Sequence, residues 1–492
     1  MDFLAVKRLE DRKNADLIVV PFWKGKKHAE TAAPLGKLSA YAEEPIHAED
    51  FTGKEGEVLI LYSKGNPDKR IALLGLGEKE KVTVEKLRRA YACLTKACRP
   101  RKIQEINLLL PVISSLAEEE VVRGVSEGLL LANYVFNKRK NDAIKDDPAK
   151  LLKKTTFVGA GKEAVSIANK YNTIVEAVYF ARDIVNDNAD TVTPQFLANA
   201  AKNLSKLKNV KTTIFDKKRI AKEKMGFILA VNRGSTSGPT FSIIEYKGNP
   251  KSKDTTVLIG KGVTYDTGGL HLKPLNSMDS MRCDMGGAAV VLGTIQAAAT
   301  LGLKVNITGV IPATENSISA DSYKPGDVYS SMTGKTVEIT STDAEGRLVL
   351  ADAIAYAVKH LKPTRIIDFA TLTGGVEIAL GSEVTGVVSN NDALVDAMSL
   401  AGHATYERIW RLPSYEEYRE FLKSDSADMK NSAGRSASPI MGGMFLREFV
   451  EDTPWLHCDI ASTAFLSEAK RYHPKHATGV GVRLMIEFFE NQ

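Results

Sequence analysis

Between Val257 and Gly374 the chain concentrates residue types able to do chemistry. VLIGKGVTYDTGGLHLKP runs an apolar strand into Lys261 and then a glycine-containing turn with Asp266 and Lys273, so two lysines bracket an acid. MRCDMGGAAVV sets Asp284 just ahead of Gly-Gly and an apolar helix, and TVEITSTDAEGRLVLADA ends a strand with Asp343, Glu345 and Arg347 in a loop that opens a helix. In open α/β sheets ligands bind outside the carboxyl ends of the strands, where all three clusters fall. Four carboxylates converging in one cleft repel unless neutralised, and hard divalent cations with oxygen ligands are the usual remedy. Two ions about 3.5 to 4 Å apart would use four carboxylates well. Beside such charge, and out of water, Lys261 could lose its proton and offer an amine ligand. Lys273 and Arg347 would remain to stabilise developing negative charge or to position an anion. Taken singly, each acid is more often a solvated loop residue or a helix cap, Lys261 an exposed charge, and each Gly-Gly a turn. Only the joint pattern favours a metal site.

The elements that must position these residues follow from apolar periodicity. ADLIVVPFW, GEVLILYS, RIALLGLG and INLLLPV predict strands, and VTVEKLRRAYACLTKAC and EEEVVRGVSEGLLLANYVF predict helices between them. The charged stretch NKRKNDAIKDDPAKLLKK suits a surface excursion or linker. From Glu163 to Asn186 the apolar residues Ile174, Val178, Ala181 and Val185 share one helical face, and the boundary is placed just before this helix. Beyond it TTVLIG, VNITGVIPAT, TVEIT and RIIDFATLT predict strands, separated by helical stretches such as GRLVLADAIAYAVKHL. The expected fold class is therefore α/β in two domains. A smaller amino-terminal domain covers residues 1–162, and a larger carboxyl-terminal domain, residues 163–492, has a mostly parallel central sheet and opens with a linking helix.

Composition narrows the function classes. At 492 residues, against roughly 150 per domain, the chain is too long for a lone binding module. Hydrophobic residues at 43% and charged residues at 26% are ordinary globular usage, which excludes overall disorder. Lys+Arg 66 less Asp+Glu 60 gives +6, too mild to demand a nucleic-acid partner. Cys93, Cys98, Cys283 and Cys458 are too few and scattered for a disulfide framework, and a reducing, cytoplasmic setting fits them. Asp2, Lys7, Arg8, Glu10 and Asp11 interrupt the apolar core that a secretion signal needs. The uncharged run Met285 to Leu303 carries four glycines, two threonines and Gln296, and predicts a buried helix rather than a membrane span.

The motifs together resemble the leucyl aminopeptidase family, also called cytosol aminopeptidases. The family octapeptide begins Asn-Thr-Asp-Ala-Glu-Gly-Arg-Leu, and here it stands as STDAEGRL with Ser341 in place of the asparagine. GKGVTYDTGGLHLKP, DMGGAA and DFATLTGG follow the family pattern in order, and SADMKNSAGR, HCDIASTAF and ATGVGVRL look like further family segments. RDIVNDNADTVTP departs from it at Asn188 and Asp190. The resemblance implies a two-metal exopeptidase acting on peptides with a free amino terminus. One ion would be held by Asp266, Asp343 and Glu345, and the other by Lys261, Asp266, Asp284 and Glu345, the metals being Mn²⁺ or Zn²⁺. A water or hydroxide bridging them would attack the scissile carbonyl, Lys273 would donate to the oxyanion, and Arg347 would hold a bicarbonate as general base. His271, the only histidine near the cluster, is taken as a neighbour and not a ligand. Met281, Thr371, Gly374, Ala461 and Ala464 would line a pocket favouring Leu or Met, with the Leu372 backbone seating the substrate. A homohexamer is also implied, as is a likeness of the amino-terminal domain to ligand-binding macro-type domains.

Two other classes stand beside this one. TGKTV at Thr333 to Val337 looks like the end of a nucleotide-binding P-loop, but the glycine that motif requires falls on Tyr329. Lys138, Arg139 and Lys140 with the overall +6 give weak support for DNA binding, which would add a second activity and leave the hydrolase expectation standing.

Overall fold

A computed structural model describes residues 1–64, 66–141 and 151–492 of the chain. Residues 142–150 of the expected charged excursion lie outside the described residues. Met1–Glu176 with Glu468–Pro474 form one unit, and Ala177–Ser467 with Lys475–Gln492 form the other.

The first unit is built on a sheet of β1 (Asp2–Val6), β2 (Leu17–Trp23), β3 (Glu30–Thr31), β4 (Val58–Tyr62), β5 (Arg70–Gly75), β6 (Glu105–Leu109) and β7 (Lys154–Val158). Its order is β1-β7-β6-β2-β5-β4, with β3 antiparallel on β2 and β4 antiparallel on β5. LIVVPFW of β2 is buried at every position, as an interior strand covered on both faces requires. The helices Val84–Cys98 and Glu118–Ala132 fall on the two predicted helical runs. β1 was not predicted, because its alternation is masked by the charged residues around it.

The second unit carries β8 (Val210–Phe215), β9 (Thr240–Lys247), β10 (Thr256–Gly260), β11 (Gly262–Asp266), β12 (Asn306–Asn316), β13 (Val328–Ser330), β14 (Thr336–Glu338), β15 (Arg365–Ala370), β16 (Thr385–Ser389), β17 (Ile409–Arg411), β18 (Met429–Lys430) and β19 (Trp455–Asp459). The main sheet runs β17-β16-β19-β15-β10-β12-β9-β8, with β11 paired to β12. The central strands β19, β15, β10 and β12 are mutually parallel, while β8, β9 and β16 add antiparallel pairs at either side. Parallel strands end together, so Gly260, Asn316, Ala370 and Asp459 share one end of the sheet.

The expected apolar helix spans Gly286–Leu301, and the run Met281–Leu301, long and apolar enough to cross a membrane, is mostly buried inside the protein. It is a core helix. Its approach to the sheet depends on Gly287, where a Cβ would lie 2.0 Å from the Phe369 carbonyl oxygen. The helix Glu345–Tyr356, buried along its whole length, carries Glu345 at its first position.

Candidate functional site

The carboxyl end of the central sheet gathers the residues singled out in the sequence. Lys261 follows β10 directly and keeps the β10–β15 ladder going through its N–H to the Phe369 carbonyl, 3.0 Å. Asp266 closes β11, Asp284 lies in the short turn Met281–Met285 ahead of the core helix, and Asp343 ends the loop leading to Glu345. The Lys261 ammonium lies 2.7 Å from Asp284 and 2.9 Å from Glu345, and donates to the Thr371 carbonyl at 2.9 Å. Lys273 reaches Asp266 at 2.7 Å and Asp343 at 2.6 Å. Carboxylate oxygens of Asp266, Asp343 and Glu345 lie within 4.8 Å of one another. Gly346 makes room for this arrangement, since a Cβ there would sit 2.7 Å from the Lys261 Nζ.

Four carboxylates thus face two ammonium groups in a site where only Asp343 is substantially exposed. Burial, with Asp266 and Glu345, raises the Asp284 carboxyl well above the usual range against the pull of Lys261. Burial likewise raises Asp266, and burial with Glu345 and Asp266 pushes Asp343 up to about 6. Burial works the same way on Glu345, but Lys261 and Lys273 outweigh it and hold that group low. For Lys261 burial opposes the charged form, yet Asp284, Glu345 and Asp266 outweigh it and raise its pKa. With carboxylates as its charged neighbours the Lys261 nitrogen keeps its proton, and serving as a ligand requires a cation to displace that proton.

The donor set fits divalent metal. Asp284 Oδ2 and Glu345 Oε2 are buried with no hydrogen-bond partner among the described residues. Unpaired carboxylate oxygens in an over-negative, buried cluster are what a hard cation neutralises. Oxygen ligands with a single amine suit Mn²⁺, Mg²⁺ or Zn²⁺. Arg347 is buried, its Nε has no acceptor among the described residues, and burial pulls its pKa down to about 10, so it stays charged near neutrality.

Polar residues outside the predicted set hold this geometry. Asn316, fully buried at the end of β12, donates to Asp266 at 2.7 Å and to the Thr342 carbonyl at 3.0 Å. Thr342 donates its hydroxyl to the Gly268 carbonyl and its N–H to His271 Nδ1, so His271 is a loop neighbour as expected. The Thr371 hydroxyl donates to Asp284 Oδ1 at 2.8 Å, which gives this expected pocket residue a contact with the charged cluster. Asp459, at the end of β19, accepts from the N–H groups of Leu372 and Ala461 at 3.0 and 3.2 Å and from Thr373. Thr371 and Ala464 are neighbours too, because one Cβ on Gly286 would touch both, at 3.4 and 3.5 Å. Met281 opens the turn that carries Asp284, and Gly374 is exposed at the start of the helix Gly374–Leu380. Asn316 and Asp459 had no sequence signal beyond their place at strand ends.

TGKTV does not form a P-loop. It is the turn of the antiparallel β13–β14 hairpin with no helix after it, and Lys335 pairs with Glu448 at 2.9 Å.

Comparison with known proteins bears directly on the site. The family model for the catalytic domain of the cytosol aminopeptidase family matches residues 179–486, and the model for that family's N-terminal domain matches residues 19–143. The chain belongs to the cytosol aminopeptidase family. It is 52% identical over 492 residues to a probable cytosol aminopeptidase of Protochlamydia amoebophila, covering 100% of this chain and 99% of that protein. It is 48% identical to a probable cytosol aminopeptidase of Chlamydia abortus, with 97% of each chain covered. Among solved structures, a variant of tomato leucine aminopeptidase is similar at a TM-score of 0.88 and 30% identity, covering 100% of this chain and 97% of that one. The bottromycin maturation enzyme BotP in complex with Mn is similar at 0.85 and 29% identity, covering 97% and 99%. Membership makes the protein a hydrolase, an aminopeptidase whose activity depends on metal, and the chain has a buried acidic cluster able to hold such an ion.

Proposed function

We propose that the protein removes the amino-terminal residue, preferably Leu or another apolar one, from peptides with a free amino terminus, using two divalent ions. The observation that carries this reading is the buried cluster of four carboxylates against two lysines with two carboxylate oxygens lacking partners. Lys261, Asp266, Asp284, Asp343 and Glu345 would hold the ions, with Asp266 and Glu345 shared between them. Bound there, Mn²⁺ or Zn²⁺ would supply Lewis acidity and lower the pKa of a water. Lys273, held by Asp266 and Asp343, would donate to the oxyanion as charge develops on the scissile carbonyl. Arg347, with its buried Nε, would hold a bicarbonate that supplies the general base. Thr371 and Ala464, with Met281, Gly374 and Ala461, would bound the pocket for the first side chain, and the Leu372 backbone would align the peptide. A cytoplasmic homohexamer is part of the same reading, and sedimentation of the purified chain tests the assembly.

The test is release of leucine from an unblocked dipeptide, loss of that release on chelation and its return with Mn²⁺ or Zn²⁺. An N-acetylated dipeptide should be inert, because capture of a free amine underlies exopeptidase action. Asp343→Ala and Lys273→Ala should each abolish most turnover, and undiminished turnover in both would refute the assigned roles.

A further inference from the structure

The loop Thr340–Ala344, which presents Asp343 and leads into Glu345 and Arg347, has no regular structure of its own. One side chain from a distant segment replaces it. Asn431, fully buried, accepts through Oδ1 from the N–H groups of Thr340 and Ser341 at 2.9 and 3.1 Å and from the Thr340 hydroxyl at 3.3 Å. Its Nδ2 donates to the Ser341 carbonyl at 2.6 Å and the Ala344 carbonyl at 3.4 Å. Its own main-chain oxygen accepts from Arg347 Nη1 at 2.8 Å.

The backbone explains why an asparagine is needed. β18 runs parallel to β14 with Lys430 opposite Glu338, and the Asn431 N–H extends the ladder by one bond to the Glu338 carbonyl, 3.0 Å. The strands then part, and the Asn431 side chain supplies the next rungs, since its amide has the acceptor and donor of a peptide group. Ala344 caps the helix Glu345–Tyr356 without a side-chain acceptor of its own, so the Nδ2 bond to its carbonyl steadies the turn just ahead of Glu345. Ser341 and Ala344 flank Asp343 on both sides. The grip therefore fixes both ends of the peptide bearing that carboxylate, and the same residue orients Arg347.

We propose that Asn431 is a positioning residue for the site, setting the placement of Asp343 and the direction of Arg347 while touching neither substrate nor metal. The proposal rests on the assignment of Asp343 as a metal ligand. Loss of such an outer hydrogen-bonding partner weakens metal affinity or activity by about 10- to 100-fold. Asn431→Ala should stay folded, bind Mn²⁺ at least tenfold more weakly by the EPR signal of the free ion, and lose kcat by about 10²-fold with KM little changed. Asn431→Asp keeps the Oδ acceptor and loses both Nδ2 donations, and should show a smaller loss of the same kind. A lower melting temperature with unchanged kcat and Mn²⁺ affinity per folded molecule in Asn431→Ala would reduce the residue to a structural one and overturn the proposal. Should that variant not fold, the same unchanged values in Asn431→Asp overturn it. Asp343→Ala in parallel separates the two ideas: Mn²⁺ binding undiminished there refutes the ligand assignment itself, whatever Asn431 does.

Discussion

Two buried ionic clusters in this chain solve opposite problems. In the first unit, Arg88 lies between Glu85 and Glu127 at 2.5 and 2.6 Å, Arg89 adds 2.7 Å to Glu85, Arg123 adds 3.4 Å to Glu127, and the Tyr472 hydroxyl donates to Glu85. Three guanidinium groups meet two carboxylates, and neither glutamate is left with a buried unpaired oxygen. In the second unit four carboxylates meet two ammonium groups and two oxygens stay unpaired. A cluster with cations enough to saturate its carboxylates fixes a fold; an over-negative, unsaturated one is kept for a cation. Stability and function make opposite demands on buried charge, and the count of unpaired oxygens tells the two apart.

The sharpest way to break this contrast is Asp284→Asn. Several kcal/mol of metal-assisted catalysis should vanish, about 10³-fold in kcat/KM, while metal-free stability by urea unfolding holds or rises, because burial already disfavours the ionised Asp284. A clear loss of metal-free stability would make this cluster a structural one like its counterpart. Arg88→Met should do the reverse, costing about 3–5 kcal/mol of stability by removing the guanidinium that joins two buried carboxylates, with kcat per folded molecule unchanged. Next in size, Mn²⁺ at 100 times its Kd should stabilise the chain by about 2.7 kcal/mol, and Asp284→Asn should shrink that gain. An equal gain in the variant would place the ion elsewhere.

Asp352 shows a third way to keep a buried carboxylate and gives the smallest effect per unit of pH. It accepts from the N–H groups of Phe227, Ile228 and Met332 at 2.9, 3.1 and 2.8 Å, yet burial pushes its pKa up to about 7. The unfolded chain releases this proton near about 4, so between about 4 and 7 the native state holds a proton that the unfolded state lacks. Stability from this residue is therefore greatest at low pH and is lost as pH rises to about 7, at up to about 1.4 kcal/mol per pH unit. Urea midpoints of the unsubstituted chain relative to Asp352→Asn should fall across that window and level off above it. A flat difference would mean that the three N–H donors outweigh burial.

The limits of sequence are visible at particular residues. Lys261, Asp266, Asp284, Asp343 and Glu345 were legible because glycines, strand ends and helix starts flank them within one stretch, and local spacing carries that signal. Asn316, Asp459 and Asn431 were not, since nothing in VNITGVIPATEN, HCDIASTAF or SADMKNSAGR says which loop an amide or carboxyl will grip. β10, β12 and β15 declared themselves as apolar runs, whereas β1 and the short β18 did not, because pairing rather than composition makes them strands.

Residue order alone determined the alternating α/β elements, the family and the inventory of charged side chains, because periodicity and short motifs are properties of neighbours along the chain. Tertiary structure decided that Lys261 sits between Asp284 and Glu345, that Lys273 spans Asp266 and Asp343, and that two carboxylate oxygens are left unpaired. Those facts depend on burial and on distances of a few ångströms between residues up to 84 positions apart, and only the folded sheet sets them.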